Sequence, residues 1–344
     1  MVVALSRTAA EPVASGHDHR RARGVASLAR GPAGSVLGAL AVAAVLVVVL
    51  RGQKDDFVAA LHAAPVWLLG IAAILQLVAL LSRTEAWHVC VGAAGGTLSR
   101  RPLYRASSMG CFGTLLNTQL GTVARIAALR RSAPEEAPRI PALIGAELPI
   151  FAVEAGLAAL FSFTLIGPLG LPWWVPLALI VAVGAIVAGL GEASRRGRRS
   201  LFRGLAILRS RRGRVRLGAF VLVAVVAQIA RNYLILHAVG VPISVFDSIA
   251  LLIALVTLGQ LPIGPSVGAA AAVVVLGPSG VALVSAAGVL LTVTGTLAAL
   301  SFAGWGALDT LGGSRARGAV PRRAGPDAPA QVPDLQGAVL APGA

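Results

Sequence analysis

Two glutamates lie within one of the most apolar stretches of the sequence. Glu147 and Glu154 belong to the run GAELPIFAVEAGLAAL and are two helical turns apart, so both project from one face of a helix. Pro149 lies between them and favours a kink. Because a charged side chain at the centre of a membrane helix costs about 2.5–3.5 kcal/mol on insertion scales, each glutamate requires a partner or a function.

The expected cationic partner is Arg231, which stands in the middle of the apolar run VAQIARNYLILHAVG. Gln228 and Asn232 are within one helical turn of it and can line the same interior face. Two interpretations stay open: a substrate or proton site, or an ion pair that only holds helices together. In either case the sequence predicts one buried polar cluster formed by Glu147, Glu154, Arg231, Asn232 and Gln228.

The composition is that of a polytopic membrane protein. Of 344 residues, 56% are hydrophobic and only 13% are charged, and the mean hydropathy is +0.82. The net charge of +16 comes from arginines in short loops beside apolar stretches, which favours lipid headgroups as partners and argues against nucleic acid. Two cysteines and the histidines His17 and His19 make no metal-ligand pattern, so we predict neither a metal nor another cofactor.

The apolar stretches define an all-α fold of about seven or eight helical elements, two of them re-entrant or broken. We expect a transmembrane domain over residues 32–311, between disordered basic tails at 1–31 and 312–344. The clearest spans are residues 32–50, 65–82, 142–166, 171–190, 217–239 and 279–308.

The arginines predict the orientation. They flank the first two spans and crowd the loop at 191–216, so both termini are expected in the cytoplasm of a bacterium, with the protein in the cytoplasmic (inner) membrane. Within that loop Leu201, Phe202, Leu205 and Leu208 recur at helical spacing. This pattern is typical of an interfacial helix that gathers anionic lipid, although topology alone also accounts for the arginines.

Two apolar segments are interrupted. Residues 106–121 are short, contain Asn117 and Gly121, and are followed by a second basic stretch, so we expect this element to enter the membrane and return. Residues 247–277 are broken by the run QLPIGPSVG. One interrupted segment in each half of a chain is typical of a transporter binding site. The expected hinge and exposed-backbone positions are Gly121, Pro262, Gly264 and Gly268.

Three runs carry a resemblance to a known family. GCFGTLLNTQLGTVARIAALRR, the glutamate run and LVTLGQLPIGPSVGAAAAVVVLGPSGVALVSAAGVLL resemble the transmembrane, flippase-like domain of the lysylphosphatidylglycerol synthase family over most of 35–311. Gly121 and Arg125 match the turn that closes the first short element in that family, and Glu147 matches the acidic helix that follows. Pro262, Gly264 and Gly268 match the second turn.

The sequence also departs from that family. Thr118 or Gln119 stands where the family has proline, and Thr122 stands where it has glutamate. Only some 33 residues follow the last span, so the aminoacyl-transfer domain of the full synthases, and with it lysine transfer, is not expected. What the resemblance implies is movement of a lipid or lipid-linked molecule across the bilayer.

We therefore expect a transporter that moves a lipid or lipid-linked anionic molecule between leaflets. Arg125 and Arg231 would contact the headgroup phosphate, while Glu147 and Glu154 would couple protons or bind a cationic group. The expected partners are membrane lipids, above all anionic phospholipid, and a homo-oligomer or an envelope-enzyme partner stays open. The substrate-binding set is Arg125, Glu147, Glu154, Arg231, Asn232, Gln228 and Asn117.

Two other classes of protein, a scaffold and an enzyme, are alternatives to a transporter. A non-transporting scaffold for a lipid- or envelope-synthesis enzyme predicts that the basic loop and tails matter more than the buried charges. An enzyme requires a catalytic constellation that the sequence does not offer. The run GPSVG at 264–268 matches a serine nucleophile motif, but it lies between apolar helices, and His237 is the only histidine in the C-terminal half.

Overall fold

The computed structural model describes residues 54–116, 118–196, 200–258 and 281–318. Within these ranges all regular structure is helical, which confirms the all-α polytopic class. Two short 3₁₀ turns occur at Ser162–Leu165 and Ala206–Arg209. The α-helices are α1 (Lys54–Ala63), α2 (Val66–Ala93), α3 (Arg100–Leu116), α4 (Thr118–Ser132), α5 (Ile140–Phe161), α6 (Ile166–Leu169), α7 (Trp174–Arg196), α8 (Ser200–Arg203), α9 (Arg211–Ala238), α10 (Val245–Leu258) and α11 (Val281–Gly318).

Five segments of the described chain are long and apolar enough to cross a membrane. Each corresponds to one of the spans expected from hydropathy, so the chain is a multi-pass membrane protein. The first expected span, 32–50, lies outside the described residues. The five segments are Val66–Ala93, Ile140–Leu169, Trp174–Arg195, Arg211–Ala238 and Ala282–Leu311.

Helices α3 and α4 form an antiparallel hairpin that enters the bundle and returns. The sequence places entry and return within residues 106–121, whereas the return helix is α4, which continues to Ser132. The two helices approach closely because glycines stand at their contact: a Cβ on Gly121 would lie 2.9 Å from the carbonyl oxygen of Gly110 and 2.1 Å from Cγ2 of Thr114. Arg100 at the start of α3 and Arg131 at the end of α4 therefore lie at the same end of the bundle. The basic stretches before and after the hairpin are thus on the same side, as the distribution of arginines requires.

The bundle has an apolar cluster at each end. One cluster joins α2, α3, α4, α5 and the start of α9 around Trp87, Leu103 and Leu143. This is the end at which the arginine-rich segments begin or finish, and we call it the basic end. The other cluster joins α1, the start of α2 and the end of α9 to the starts of α10 and α11, which therefore begin at the same, opposite end.

Helix α2 is longer than the sequence predicts. The expected span ends at residue 82 and places Arg83 in a cytoplasmic loop, but the helix continues to Ala93, so that placement of Arg83 is wrong. The continuation is stabilised by packing, because Trp87 and Cys90 are fully buried in the cluster at the basic end. Charged residues after position 82 lowered the local hydropathy without ending the helix.

The basic loop is not the continuous interfacial helix that its spacing predicts. Between Ser200 and the start of α9, the structure has the one-turn helix α8 and a 3₁₀ turn. Leu205 is fully buried, and a Cβ on Gly204 would lie 2.2 Å from the backbone of Gly145, so the loop packs against α5 and not against lipid at these positions. Arg209 closes the loop by donating a hydrogen bond to the carbonyl oxygen of Ser194.

Candidate functional site

Glu147 pairs with Arg125. Arg125 Nη2 donates a hydrogen bond to Glu147 Oε1, and both side chains are mostly buried in the apolar cluster at the basic end. The Arg125 guanidinium also lies 4.3 Å from the centroid of the Trp87 ring, a cation–π contact. The ion pair and the ring together hold α4 of the hairpin against α5 and α2.

Glu154 pairs with a different arginine. Arg83 Nη2 donates to Glu154 Oε2 at 2.8 Å and so joins α2 to α5. The Glu154 side chain is 18% exposed and the Arg83 side chain 46%, so this pair faces open space, whereas Arg125 and Glu147 are enclosed.

The predicted pairing of the glutamates with Arg231 is therefore wrong. Glu147 and Glu154 do share a helix, but they lie about 10 Å apart along its axis and meet different neighbouring helices at different depths. Within the described residues Arg231 forms no ion pair with either of them. The sequence correctly predicts that all three charges are inside the bundle but not which ones touch.

Arg231 is buried among neutral oxygens. Its Nη1 donates to Gln76 Oε1 at 2.7 Å and, at the limit of hydrogen bonding, to Gln228 Oε1 at 3.5 Å. Its Nη2 donates to the carbonyl oxygen of Leu291 and to Thr294 Oγ1 at 3.2 Å on α11. The neighbouring Asn232 is fully buried, and its amide has no partner among the described atoms.

A pocket of about 170 Å³ opens between α2, α5, α9 and α10. Its polar lining consists of Gln76, Arg83, Glu154 and Gln228, and the rest is apolar. Gln76 and Gln228 also accept hydrogen bonds from Arg231, so the set of polar side chains around the pocket extends beyond its lining to Arg231. We call this set the polar layer; it comprises Gln76, Arg83, Glu154, Gln228 and Arg231.

Gln76 and Arg83 are functional candidates that the sequence analysis missed. They are seven residues apart on α2, the same two-turn spacing that singles out the two glutamates on α5. That spacing is the signal in the sequence, but a span that ends at residue 82 places Arg83 in a loop and so hides it. Trp87, one turn beyond Arg83, was missed for the same reason.

A second charged cluster lies at the basic end. Asp309 near the end of α11 accepts hydrogen bonds from Arg101 Nε at 2.9 Å and from Arg105 Nε. On the other side of α3, Glu85 accepts from Tyr104 Oη at 2.8 Å and pairs with Arg100 at 3.3 Å. These contacts fix the first helix of the hairpin between α2 and α11.

The remaining predicted positions fall into two groups. Gly121 lies inside α4 at its close contact with α3, and its hinge role stays a prediction. The others, namely Asn117, Pro262, Gly264 and Gly268, lie outside the described residues. No three His, Cys, Asp or Glu side chains of the described part are grouped as metal ligands.

The arrangement suits binding of a charged, amphiphilic group more than chemistry on it. The half-exposed side chain of Arg83 and the carboxylate of Glu154 face a pocket whose lining is mostly apolar. A guanidinium presents paired N–H donors that match the oxygens of phosphate.

Residues 36–311 match the family described as Lysylphosphatidylglycerol synthase TM region. The match covers most of the chain, so the protein belongs to this family, and the resemblance seen in the three sequence runs is confirmed. A comparison with curated proteins gave no match.

Proposed function

We propose that this member of the lysylphosphatidylglycerol synthase TM region family moves a lipid or lipid-linked anionic molecule between the leaflets of the bacterial cytoplasmic membrane. The observation that carries the proposal is the pocket between α2, α5, α9 and α10, in which Arg83 and Glu154 face an apolar lining. The family and the five membrane-crossing segments support this class of function.

The location of the Arg83–Glu154 pair supports a role in binding. Holding two charges within membrane-crossing segments is expensive, and such residues mark substrate or proton pathways by default. A partly exposed ion pair contributes little to holding helices together, whereas breaking an enclosed pair such as Arg125 and Glu147 is costly. The 46% exposure of the Arg83 side chain leaves N–H donors free for a headgroup phosphate.

Each of the two ion pairs has its own role in the proposed transport. Arg83 receives the phosphate, and Glu154 holds Arg83 in place until the phosphate competes for it or until the carboxylate takes up a proton. The apolar lining of the pocket accepts the glycerol backbone and the first carbons of the acyl chains. Arg125 and Glu147 position the hairpin, a change from the direct headgroup contact that the sequence suggests for Arg125.

The orientation proposed for the molecule places the basic end at the cytoplasm. Arginines at loop ends favour the cytoplasmic side and attract anionic headgroups. With this orientation, the pocket lies between the cytoplasmic apolar cluster and the outer one, at a depth where a headgroup requires polar partners.

A reconstitution experiment tests the proposal. The full chain is placed in liposomes with fluorescent phosphatidylglycerol, and loss of fluorescence after external dithionite reports leaflet exchange. We expect exchange by the wild type and at least tenfold slower exchange by Arg83→Gln and Glu154→Gln. Arg131→Gln and Glu136→Gln carry the same chemical changes at exposed positions outside the pocket and serve as matched controls.

The outcome separates transport from scaffolding. Absence of exchange for phosphatidylglycerol, phosphatidylethanolamine and a lipid-linked phosphate, all from folded protein, would favour the scaffold alternative. Equal slowing by the pocket variants and by their controls would remove Arg83 and Glu154 from the mechanism.

A further inference from the structure

Arg231 carries a positive charge that the described structure does not neutralise. The residue is 6% exposed, and its four hydrogen-bond acceptors, two amides, a hydroxyl and a carbonyl, are all uncharged. Its Nε has no partner among the described atoms. A buried guanidinium ordinarily has a carboxylate or phosphate partner, because an unpaired buried charge is costly.

No carboxylate of the described residues lies within ion-pair distance of Arg231. The apolar stretches 32–53 and 259–280, which the structure does not describe, contain neither aspartate nor glutamate. Arg83 and Arg125, by contrast, each have their own glutamate. The polar layer therefore carries one surplus positive charge.

We propose that a monoanionic phosphate group binds Arg231 and supplies the missing charge. In the unliganded state the amide oxygens of Gln76 and Gln228 occupy the positions that phosphate oxygens take on binding. This inference rests on the proposed function, and it extends the pocket by a second phosphate-binding group beyond Arg83.

The geometry gives the phosphate a route. Both glutamines line the pocket and both accept from the same nitrogen of Arg231, so their amides connect the pocket to the guanidinium. Each amide can turn away by side-chain rotation. On the other side of the guanidinium α11 approaches closely at Gly295, where a Cβ would lie 3.2 Å from Nη2.

The charge balance selects the class of ligand. A phosphodiester without a cationic group brings one negative charge and neutralises Arg231 while the Arg83–Glu154 pair stays intact. A zwitterionic headgroup brings no net charge and leaves the surplus in place. The same phosphate chemistry can come from a phosphatidylglycerol headgroup or from free inorganic phosphate, so the test must distinguish these sources.

The experiment measures ligand-induced thermal stabilisation of the purified full chain in a neutral detergent. The probes are dihexanoyl-phosphatidylglycerol, dihexanoyl-phosphatidylcholine and inorganic phosphate. We expect phosphatidylglycerol to raise the Tm of the wild type and phosphatidylcholine to have little effect. For Arg231→Gln, the phosphatidylglycerol concentration that gives the same rise in Tm should be about 10- to 100-fold higher, as the loss of a charge-assisted hydrogen bond predicts. Arg131→Gln, at an exposed site, should respond as the wild type does.

A second variant keeps the test decisive if Arg231→Gln does not fold. Gln76→Glu places a carboxylate at the position that now accepts from Arg231 at 2.7 Å. It should raise the Tm without ligand and abolish the response to phosphatidylglycerol. A purely structural Arg231 would leave the lipid response of Gln76→Glu unchanged.

The outcomes distinguish this inference from the proposed function. Equal stabilisation of the wild type and Arg231→Gln by phosphatidylglycerol would overturn the Arg231 site and leave transport through the pocket standing. Binding at Arg231 without leaflet exchange would overturn only the transport function. Stabilisation by phosphatidylglycerol at concentrations where inorganic phosphate has no effect assigns the site to the lipid headgroup, and the reverse assigns it to the free anion.

Discussion

Arg83 and Glu154 are 71 positions apart in the sequence and form a 2.8 Å ion pair at the edge of a pocket inside the bundle. The pair joins two membrane-crossing helices, yet nearly half of the guanidinium side chain is exposed. Its partner pair, Arg125 with Glu147, has the same chemistry but is enclosed. We therefore expect substitutions in the open pair to affect transport and substitutions in the enclosed pair to affect stability.

Exchanging the charges of the open pair should separate pairing from binding. In Arg83→Glu combined with Glu154→Arg the ion pair can re-form, so the Tm should lie closer to the wild type than in Arg83→Glu alone. The cation, however, moves from α2 to α5, away from Gln76. We expect leaflet exchange to stay at least tenfold below the wild type. Recovery of exchange together with Tm would show that Arg83 acts only by joining the helices.

Removing one partner of the enclosed pair should cost more than removing both. Arg125→Met or Glu147→Leu leaves an uncompensated charge in the apolar cluster, with an expected loss of about 3–5 kcal/mol, whereas the double variant Arg125→Met with Glu147→Leu should lose less than either single variant. The measurement is denaturant unfolding in detergent. Additive losses would mean that the two side chains contribute separately and that the ion pair is not the unit that holds the hairpin.

The contribution of Trp87 can be tested within the same cluster. Its ring lies under the Arg125 guanidinium, and a cation–π contact in such a desolvated place is worth about 2 kcal/mol. We expect Trp87→Leu to lower the stability of the wild type by more than it lowers that of Arg125→Met. Equal losses in the two backgrounds would assign the effect to ring packing alone.

The sequence predicts helices better than it predicts contacts, and the reason is physical. Hydropathy and length are local properties, so five membrane-crossing segments and the returning hairpin around Gly121 could be anticipated. Which arginine meets which glutamate depends on the rotation and depth of packed helices, which no local pattern encodes. Hydropathy falls where charged residues begin, so the predicted span ends at residue 82 and excludes Arg83. The helix nevertheless continues, because Trp87 and Cys90 are buried.

The close contact within the hairpin predicts that alanine substitution at two glycines has very different effects on stability. Gly121 lies against the backbone of α3, where a Cβ would meet the Gly110 carbonyl oxygen at 2.9 Å, whereas a Cβ on Gly156 of α5 would meet nothing within 4 Å. Gly121→Ala should therefore destabilise by about 1–3 kcal/mol, as overpacking does. Gly156→Ala should leave the Tm unchanged or slightly higher, because alanine favours helix. Tm values that fall equally would indicate that the two helices of the hairpin do not pack closely.

The cluster at the basic end predicts local loosening without global unfolding. Asp309 accepts from both Arg101 and Arg105, so Asp309→Asn removes the charge that holds the start of α3 to the end of α11. The apolar cluster around Leu103 and Leu143 remains, so the fold should persist. We expect faster amide hydrogen exchange over residues 100–110 and unchanged exchange in α9. The matched control is Asp247→Asn, since within the described part of the chain Asp247 bonds only to Ser244, three residues away. Exchange in α3 that is equally slow in both variants would show that Asp309 does not anchor the hairpin.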